Sequence, residues 1–452
     1  MTATNPVRFP DASSREGMTR RAWWLVGLNL LIPGSAQMLA GNRRLGRFGV
    51  GATFTLWALA LVALVLFFAA KFVLLTIVTN SIVLTVAQVL LVFYAVLWVI
   101  LTLDTLRLVR LIRTAPAARG FIAGLAAIAM VALVGSAGYG VVVTGAARGL
   151  LGEVFSGGHI AAPIDGRYNI LILGGDAGPD RLGMRPDSIS VASVDANSGS
   201  TTMLGIPRNL QRVTFAEDSP LHEAFPSGYD CGPECLVSFL YTYGEEHPEL
   251  YPDAIAHGSE PGIEAMRDAA ESVLGIELQY FVIIDMQGFT DLINALGGIQ
   301  IDSPGRYPIG GSDGSDEPAA PPVDWIEKGP QLMSGYKAIW YVRARHGTSD
   351  YDRMQRQRQV QEAIITQADP ATILTKFEAV AKAGAQVAKT DIPEGMLGFF
   401  VELAGKARAL PITSLNLVPE NGVNVIHPDF EAIHAMVKAA LATSTATPEP
   451  PK

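Results

Sequence analysis

Between Arg343 and Gln359 the sequence reads RARHGTSDYDRMQRQRQ, five arginines in a chain whose formal net charge is −9. A guanidinium stays charged at any ordinary pH, and its planar fork matches phosphate or carboxylate oxygens in pairs. Such a cluster is a solvated helix face, an internal salt-bridge net or a clamp for an anion, and the faces the arginines occupy decide. AIWYVRARH (338–346) reads as a strand, on which Arg343 and Arg345 project from one side. Residues 351–368 read as a helix. There Arg353, Arg356 and Gln357 share a side with Val360 and Ile364, while Arg358, Gln359 and Glu362 point away. Arginines that continue an apolar stripe lean inward and need acids or a bound anion. A net with Asp350 and Asp352 meets that need, and so does an anion clamp.

A second constellation lies upstream. GGDAGPDRLGMRPDSISV places Asp176 after one strand end and Asp187 just before the next strand, with Arg185 between them. Arg208 follows in GIPRN, at the end of a third strand. Two carboxylates at neighbouring strand ends can seat a hard divalent cation such as Mg²⁺, which takes substrate phosphates as further ligands. Turn-forming aspartates are the ordinary alternative. Arginines, acids and a metal seat at strand ends together describe a pyrophosphate site. Cys231 and Cys235, in DCGPEC, lack the second ligand pair that zinc needs. A disulfide in an oxidising compartment or two free thiols remain.

The elements that must position these groups follow from periodicity. YNILILGG (168–175) is a buried strand, and residues 188–195 and 200–206 form a hairpin. Residues 262–275 make an amphipathic helix closed by Gly275, and 278–285 a strand. A helix at 287–296 stops at Gly297-Gly298, and 299–302 is a short strand. Residues 306–324 have loop composition; a helix at 372–388, a strand at 414–419 and a helix at 428–442 complete the pattern. The fold class is therefore α/β, a mixed sheet flanked by helices in an α-β-α sandwich over 167–442, with a Thr/Pro-rich tail at 443–452.

An all-α membrane region precedes it. Hydrophobic residues make up 49 % of the chain and charged residues only 17 %, and the apolar excess lies before residue 146. Stretches 49–70, 82–103 and 121–144 are each long enough to cross a bilayer; 24–40 is short and broken by Pro-Gly-Ser. Arg20 and Arg21, then Arg43, Arg44 and Arg47, then Arg107, Arg110, Arg113 and Arg119 all favour the cytoplasm. That holds if 1–23 is a cytoplasmic tail, 24–40 is interfacial or re-entrant, and three spans follow. A linker, 147–166, then leads to a domain outside the cell; four true spans would put it inside. The polar first twenty residues do not have the pattern of a cleavable signal peptide. An acidic chain with an external domain excludes nucleic acid as a partner.

NILILGGD, RPDSISVASVD, TTMLGIPRN, YFVIIDMQGFTDLINALGGIQID and GPQLMSGYKAIWYVRARH with SDYDRMQRQRQ, in that order, resemble the LytR–CpsA–Psr family over about 168–368. The resemblance implies a plasma-membrane enzyme with an external catalytic domain. Such an enzyme would transfer a glycopolymer from a polyprenyl-pyrophosphate carrier to peptidoglycan as a phosphodiester, with Mg²⁺ at the pyrophosphate. Asp176 and Asp187 would then be the metal- and pyrophosphate-coordinating acids. Arg185, Arg208, Arg343 and Arg345 would bind phosphate, and Arg353, Arg356 and Gln357 match the family's arginine-rich helix start. Asp176 or Asp350 would take the acceptor's proton, and an apolar cleft between sheet and helices would hold the polyprenyl chain. Two features depart from the pattern: Asn209 stands where the family carries an acid, and several spans replace one anchor. A polyprenyl-pyrophosphate hydrolase and a non-catalytic sensor of polyprenyl phosphates are the alternatives.

The arginine asymmetry makes a direct prediction. A compartment-sensitive reporter fused after residue 150 is active only outside the cell, and one fused near residue 110 only inside. Cytoplasmic activity at 150 contradicts the external placement.

Overall fold

The structure is a computed structural model. It describes residues 7–11, 13–78, 80–154, 158–176, 185–311, 321–344, 348–367 and 388–445. The chain divides into two compact units, residues 1–149 and 150–452.

The first unit is helical: α1 (Arg15–Leu31), α2 (Ser35–Ala40), α3 (Arg43–Ala69), α4 (Lys71–Val78), α5 (Ser81–Val109) and α6 (Pro116–Val154). Arg43–Ala69, Ser81–Arg113 and Pro116–Gly145 are long and apolar enough to cross a membrane, matching the three expected spans; α1 and α2 are not among them. Pro33-Gly34 breaks the chain between α1 and α2. Gly34 has φ 98°, and a Cβ there would stand 2.7 Å from the Gly46 carbonyl and the Val50 nitrogen, so only glycine fits. Polar groups away from water must pair within the bundle. Asn29 Nδ2 donates to Thr102 Oγ1 at 3.1 Å, and Gln37 Nε2 to the Leu101 carbonyl at 2.8 Å. Two expectations need correction here. Helix α1 begins at Arg15, inside the segment read as a tail, and α6 continues to Val154, into the segment read as a linker.

The second unit carries β1 (Arg167–Asp176), β2 (Arg185–Asp195), β3 (Thr201–Ile206), α7 (Pro220–Ala224), α8 (Leu240–Glu246), α9 (Pro261–Leu274), β4 (Tyr280–Asp285) and α10 (Met286–Leu296). It continues with β5 (Ile299–Ser303), β6 (Tyr307–Ile309), β7 (Asp324–Ile326), β8 (Gly329–Met333), α11 (Gly335–Arg343) and α12 (Asp350–Gln367). It ends with β9 (Ala388–Thr390), α13 (Leu397–Ala407), β10 (Thr413–Asn416) and α14 (Phe430–Thr445). Six strands form a mixed sheet in the order β10-β3-β2-β1-β4-β9. β1 pairs with β2 antiparallel and with β4 in parallel.

Strand alternation sets the two faces of that sheet. Leu171, Leu173, Ile189, Val191, Leu204, Phe281 and Ile283 enter the main core, together with α9 residues Met266, Ala269 and Val273. Ile172, Gly174, Ser188, Met203, Val282 and Ile284 face the other way and line a cleft. A smaller core beyond it joins the two-stranded sheets β5-β8 and β6-β7 to Tyr341, Val342, Val360 and Ala363.

Residues 338–343 are helical, not extended. Their aromatic and β-branched composition favours a strand. The burial of Ala338, Tyr341 and Val342 follows helical spacing instead, and the Ser334 hydroxyl accepts from the Lys337 N–H at 3.4 Å as N-cap. Within 306–324, β6 and β7 pair around residues 312–320, which lie outside the described residues. Most of the expected helix at 372–388 also lies outside them. The C-terminal strand is shorter than expected and α14 longer, reaching Thr445, while α13 was not anticipated.

One carboxyl in α9 gives this fold a pH dependence. Glu271 accepts from the Leu278 N–H at 2.7 Å, and burial lifts its pKa from 4.5 to about 7. The folded chain keeps this proton to higher pH than the unfolded chain does. The associated stability is thus complete below pH 4.5 and is lost as pH rises to about 7. Glu271→Gln keeps an acceptor and removes the titration. In denaturant melts, the stability change between pH 5 and pH 8 is expected to shrink by roughly 1–3 kcal/mol.

Candidate functional site

The open end of the cleft is built where β1 meets β2. Gly174 pairs with Ser188 and Gly175 with Pro186, so Asp187 is an extra residue in a β-bulge. A bulge bends its strand and re-aims one side chain. Here Asp187 joins the lining of a cleft of about 320 Å³. Ile172, Met203, Phe289, Ile339, Val360 and Ile364 make apolar walls, and Asp187, Arg343, Arg353 and Gln357 supply polar groups.

Four charges meet here, Asp187 among them. Arg208 Nη1 contacts Asp187 Oδ1 at 2.5 Å, and Arg208 Nε contacts Asp350 Oδ2 at 3.3 Å. Arg353 Nη2 lies 3.3 Å from Asp350 Oδ1, and its Nη1 lies 3.9 Å from Asp187 Oδ2. Burial would depress the Arg208 pKa, but Asp187 and Asp350 outweigh it and hold the guanidinium above its ordinary value. Arg353 is 3 % exposed, so it is fixed in place before any ligand arrives. The helix start that carries these groups is capped reciprocally: the Asp352 N–H donates to Ser349 Oγ at 3.1 Å, and the Ser349 N–H to Asp352 Oδ2 at 2.8 Å.

The structure separates the remaining residues singled out from sequence. Arg343 is exposed at the end of α11, 5.6 Å from the Trp340 ring, and lines the cleft. Arg345 lies outside the described residues. Asp176 and Arg185 face each other as the last backbone pair of β1 and β2; their side chains lie outside the description. Gln357 lines the cleft and donates to the Val342 carbonyl at 3.4 Å. Arg356 points into the smaller core. Its Nε donates to the Tyr341 carbonyl at 2.9 Å, its Nη2 to the Ala344 carbonyl, and its guanidinium stacks 4.4 Å from the Tyr307 ring. It holds the segment before α12 and is absent from the cleft lining. Arg358 was expected to point away from the buried side, yet it is 7 % exposed. The reason is that α12 is covered on two sides, by the smaller core at Val360 and Ala363 and by the main sheet, where Gln361 donates to Ser190 Oγ at 3.1 Å. Cys231 and Cys235 are joined by a disulfide, with Cα atoms 5.3 Å apart.

Sequence reasoning offered Asp350 as a partner for the helix arginines but missed its contact with Arg208. It missed the bulge at Asp187 and the cleft walls from α10 and α11. The Gly-Gly pair before Asp176 and the helical spacing of Ala338, Tyr341 and Val342 were the available signals. Among the described residues no three His, Cys, Asp or Glu side chains are grouped as a ready-made metal site. Asp187 carries the hard carboxylate oxygens that Mg²⁺ takes, and both of them face arginines, Oδ1 at Arg208 and Oδ2 at Arg353.

The charge quartet predicts opposite effects on stability and anion binding. Asp350→Asn deprives both arginines of a carboxylate and is expected to lower stability by about 1–2 kcal/mol in a denaturant melt. With a competing carboxylate gone, inorganic pyrophosphate binds the folded variant more tightly in calorimetry. Unchanged stability together with weaker binding contradicts the assignment.

The pattern that defines the LytR_cpsA_psr family matches residues 159–438. The chain is 26 % identical over 228 residues to the polyisoprenyl-teichoic acid–peptidoglycan teichoic acid transferase TagU of Halalkalibacterium halodurans, covering 50 % of this chain and 61 % of that one. It is 25 % identical over 318 residues to the cell wall biosynthesis protein LcpA of Corynebacterium glutamicum, covering 63 % and 58 %. The chain thus spans less than two thirds of the length of these relatives. Among solved structures, TagV of Bacillus subtilis aligns with TM-score 0.43 and 22 % identity over 61 % of this chain and 97 % of that one. TagT bound to LI-WTA aligns with TM-score 0.42 and 21 % identity over 63 % and 93 %. With the family pattern covering most of the globular unit, the chain belongs to the LytR_cpsA_psr family.

Proposed function

We propose that the globular unit transfers a glycopolymer from a polyprenyl-pyrophosphate carrier to peptidoglycan at the outer face of the plasma membrane, leaving a phosphodiester link. The observation that carries this reading is one cleft with apolar walls, among them Ile339, Phe289 and Ile364, into which the cationic groups Arg343 and Arg353 and the amide of Gln357 also project, beside Asp187 and Asp285. An amphiphile with a long hydrocarbon tail and an anionic head matches the apolar walls and the cationic groups. The names of the curated relatives, transferases of polyisoprenyl-linked teichoic acid, support the same substrate class.

The chemistry asked of the protein is positioning and charge neutralisation. An acceptor hydroxyl on peptidoglycan attacks the phosphorus that carries the glycan. A P–O bond forms there, the bridging P–O bond breaks, and polyprenyl monophosphate leaves. The apolar walls hold the tail, so the head is presented at Arg343 and Arg353, whose guanidiniums offset the charge that develops on the bridging oxygen. Asp350, paired with Arg208 and Arg353 and with its side chain 30 % exposed, is our candidate to accept the hydroxyl proton. Asp187, with Asp176 at the neighbouring strand end, would hold Mg²⁺, which supplies further charge neutralisation at the phosphates when bound.

Arg343 tests the reading because it is exposed and lines the cleft. With purified full-length chain and lipid-linked glycan, Arg343→Ala is expected to lose about 1.5–3 kcal/mol of transition-state binding, read from kcat/KM. Arg343→Lys also loses activity, since an ammonium lacks the fork. The melting temperature of both variants stays near wild type. Normal turnover and normal lipid-pyrophosphate affinity in folded Arg343→Ala refute the clamp.

A further inference from the structure

Among the described residues, one buried cation beside the cleft has no carboxylate in contact with it. The Arg358 guanidinium donates through Nη1 to Gln361 Oε1 at 2.6 Å and through Nη2 to Asn416 Oδ1 at 3.3 Å. Its Nε has no hydrogen-bond partner, and among the described residues no carboxylate lies within 4.0 Å of it. Glu362, the acid that acts on it from its own helix, accepts instead from Ser414 Oγ at 2.5 Å. Burial pushes the guanidinium pKa down to about 10, which leaves it charged at neutral pH. Burying an ion with only neutral partners costs folding free energy.

The location of this charge gives it a use. Arg358 lies in a small void whose lining includes Asp187, Ser188, Gln357 and Gln361, and those same four residues line the cleft. A single layer of side chains therefore separates the guanidinium from the polar end of the cleft. Gln361 belongs to that layer, and its orientation is set on both sides: its Oε1 accepts from Arg358, and its Nε2 donates to Ser190 Oγ. The backbone accommodates the arrangement at Gly205, where a Cβ would stand 2.7 Å from Arg358 Nη2.

We propose that Arg358 is a positioning residue for the anionic head bound at the cleft: a buried positive charge that the fold leaves without a carboxylate, and whose counter-charge arrives with the ligand. It acts through its field and through the orientation it imposes on Gln361. The proposal rests on the lipid-pyrophosphate reading of the cleft and adds to it a residue outside the lining. Arg267 pairs with Asp391 at 2.5 Å and Arg356 is held by two backbone carbonyls and the Tyr307 ring, whereas Arg358 meets only the side-chain amide oxygens of Gln361 and Asn416 beside the cleft.

Full-length chain in detergent micelles, titrated with geranyl pyrophosphate by calorimetry, tests this. Arg358→Met removes the charge while keeping an unbranched stem. Its folded form is expected to bind roughly tenfold more weakly, the scale of one unit charge acting across about 10 Å at an effective dielectric near 20. Arg358→Lys, which restores the charge without the fork, recovers most of that affinity. Without ligand, Arg358→Met melts at or above the wild-type temperature, since an uncompensated charge has left the interior. Wild-type affinity in folded Arg358→Met, or no recovery in Arg358→Lys, overturns the proposal. Wild-type protein that fails to bind geranyl pyrophosphate overturns the reading of the cleft itself, and this proposal with it.

Discussion

Two carboxylates standing between two guanidiniums at the end of an apolar cleft are the constraint on which the second unit depends. Four charges cannot sit at the edge of a hydrophobic core unless each has a partner in place. Asp187 and Asp350 each face both Arg208 and Arg353, so the quartet is internally neutral. It ties the bulge of β2, the end of β3 and the start of α12 into one rigid corner. Partnering also means that the arginines are oriented before a ligand binds, so little ordering cost remains to be met on binding. Beyond the quartet, Arg343 and Asp285 also line the cleft, and Arg358 lies behind its wall.

The sheet supplies the other half of the site through strand alternation. One set of side chains closes the main core against α9, and the other set is left facing α10, α11 and α12 across a space that the protein does not fill. In most domains such a layer would pack shut. Here Gly174 and Ser188 keep the polar end open, and Ile172, Val282 and Ile284 keep the rest apolar. The smaller core holds α11 and α12 at that separation, and Arg356 braces it through backbone carbonyls and the Tyr307 ring. An arginine expected to grip a ligand is thereby a structural strut.

The mixed sheet, its hairpin, the three long apolar helices and the helices at 261–274, 286–296 and 350–367 were legible because each carries a clean period or a glycine stop. Residues 338–343 were misread because aromatic and β-branched composition outweighed spacing in the reading, whereas the Ser334 cap and close packing on α10 decide the fold. Arg358 was misplaced for a related reason. A single apolar stripe assumes one covered side, and α12 is covered on two. In the site, Arg353 and Asp187 could be chosen from residue type and position. Asp350 could be named as a partner for the helix arginines and as a proton acceptor, but not as a partner of Arg208, because that contact joins residues 142 apart in sequence.

The proposed reaction passes a phosphorus atom from a lipid carrier to a wall acceptor. The direct measurement places full-length chain in liposomes with peptidoglycan and a lipid-linked glycan labelled with ³²P only at the phosphate next to the sugar. The account predicts label covalently joined to peptidoglycan, with unlabelled polyprenyl monophosphate as the co-product. Label released as soluble glycan phosphate, or label retained on the lipid with binding but no turnover, contradicts it.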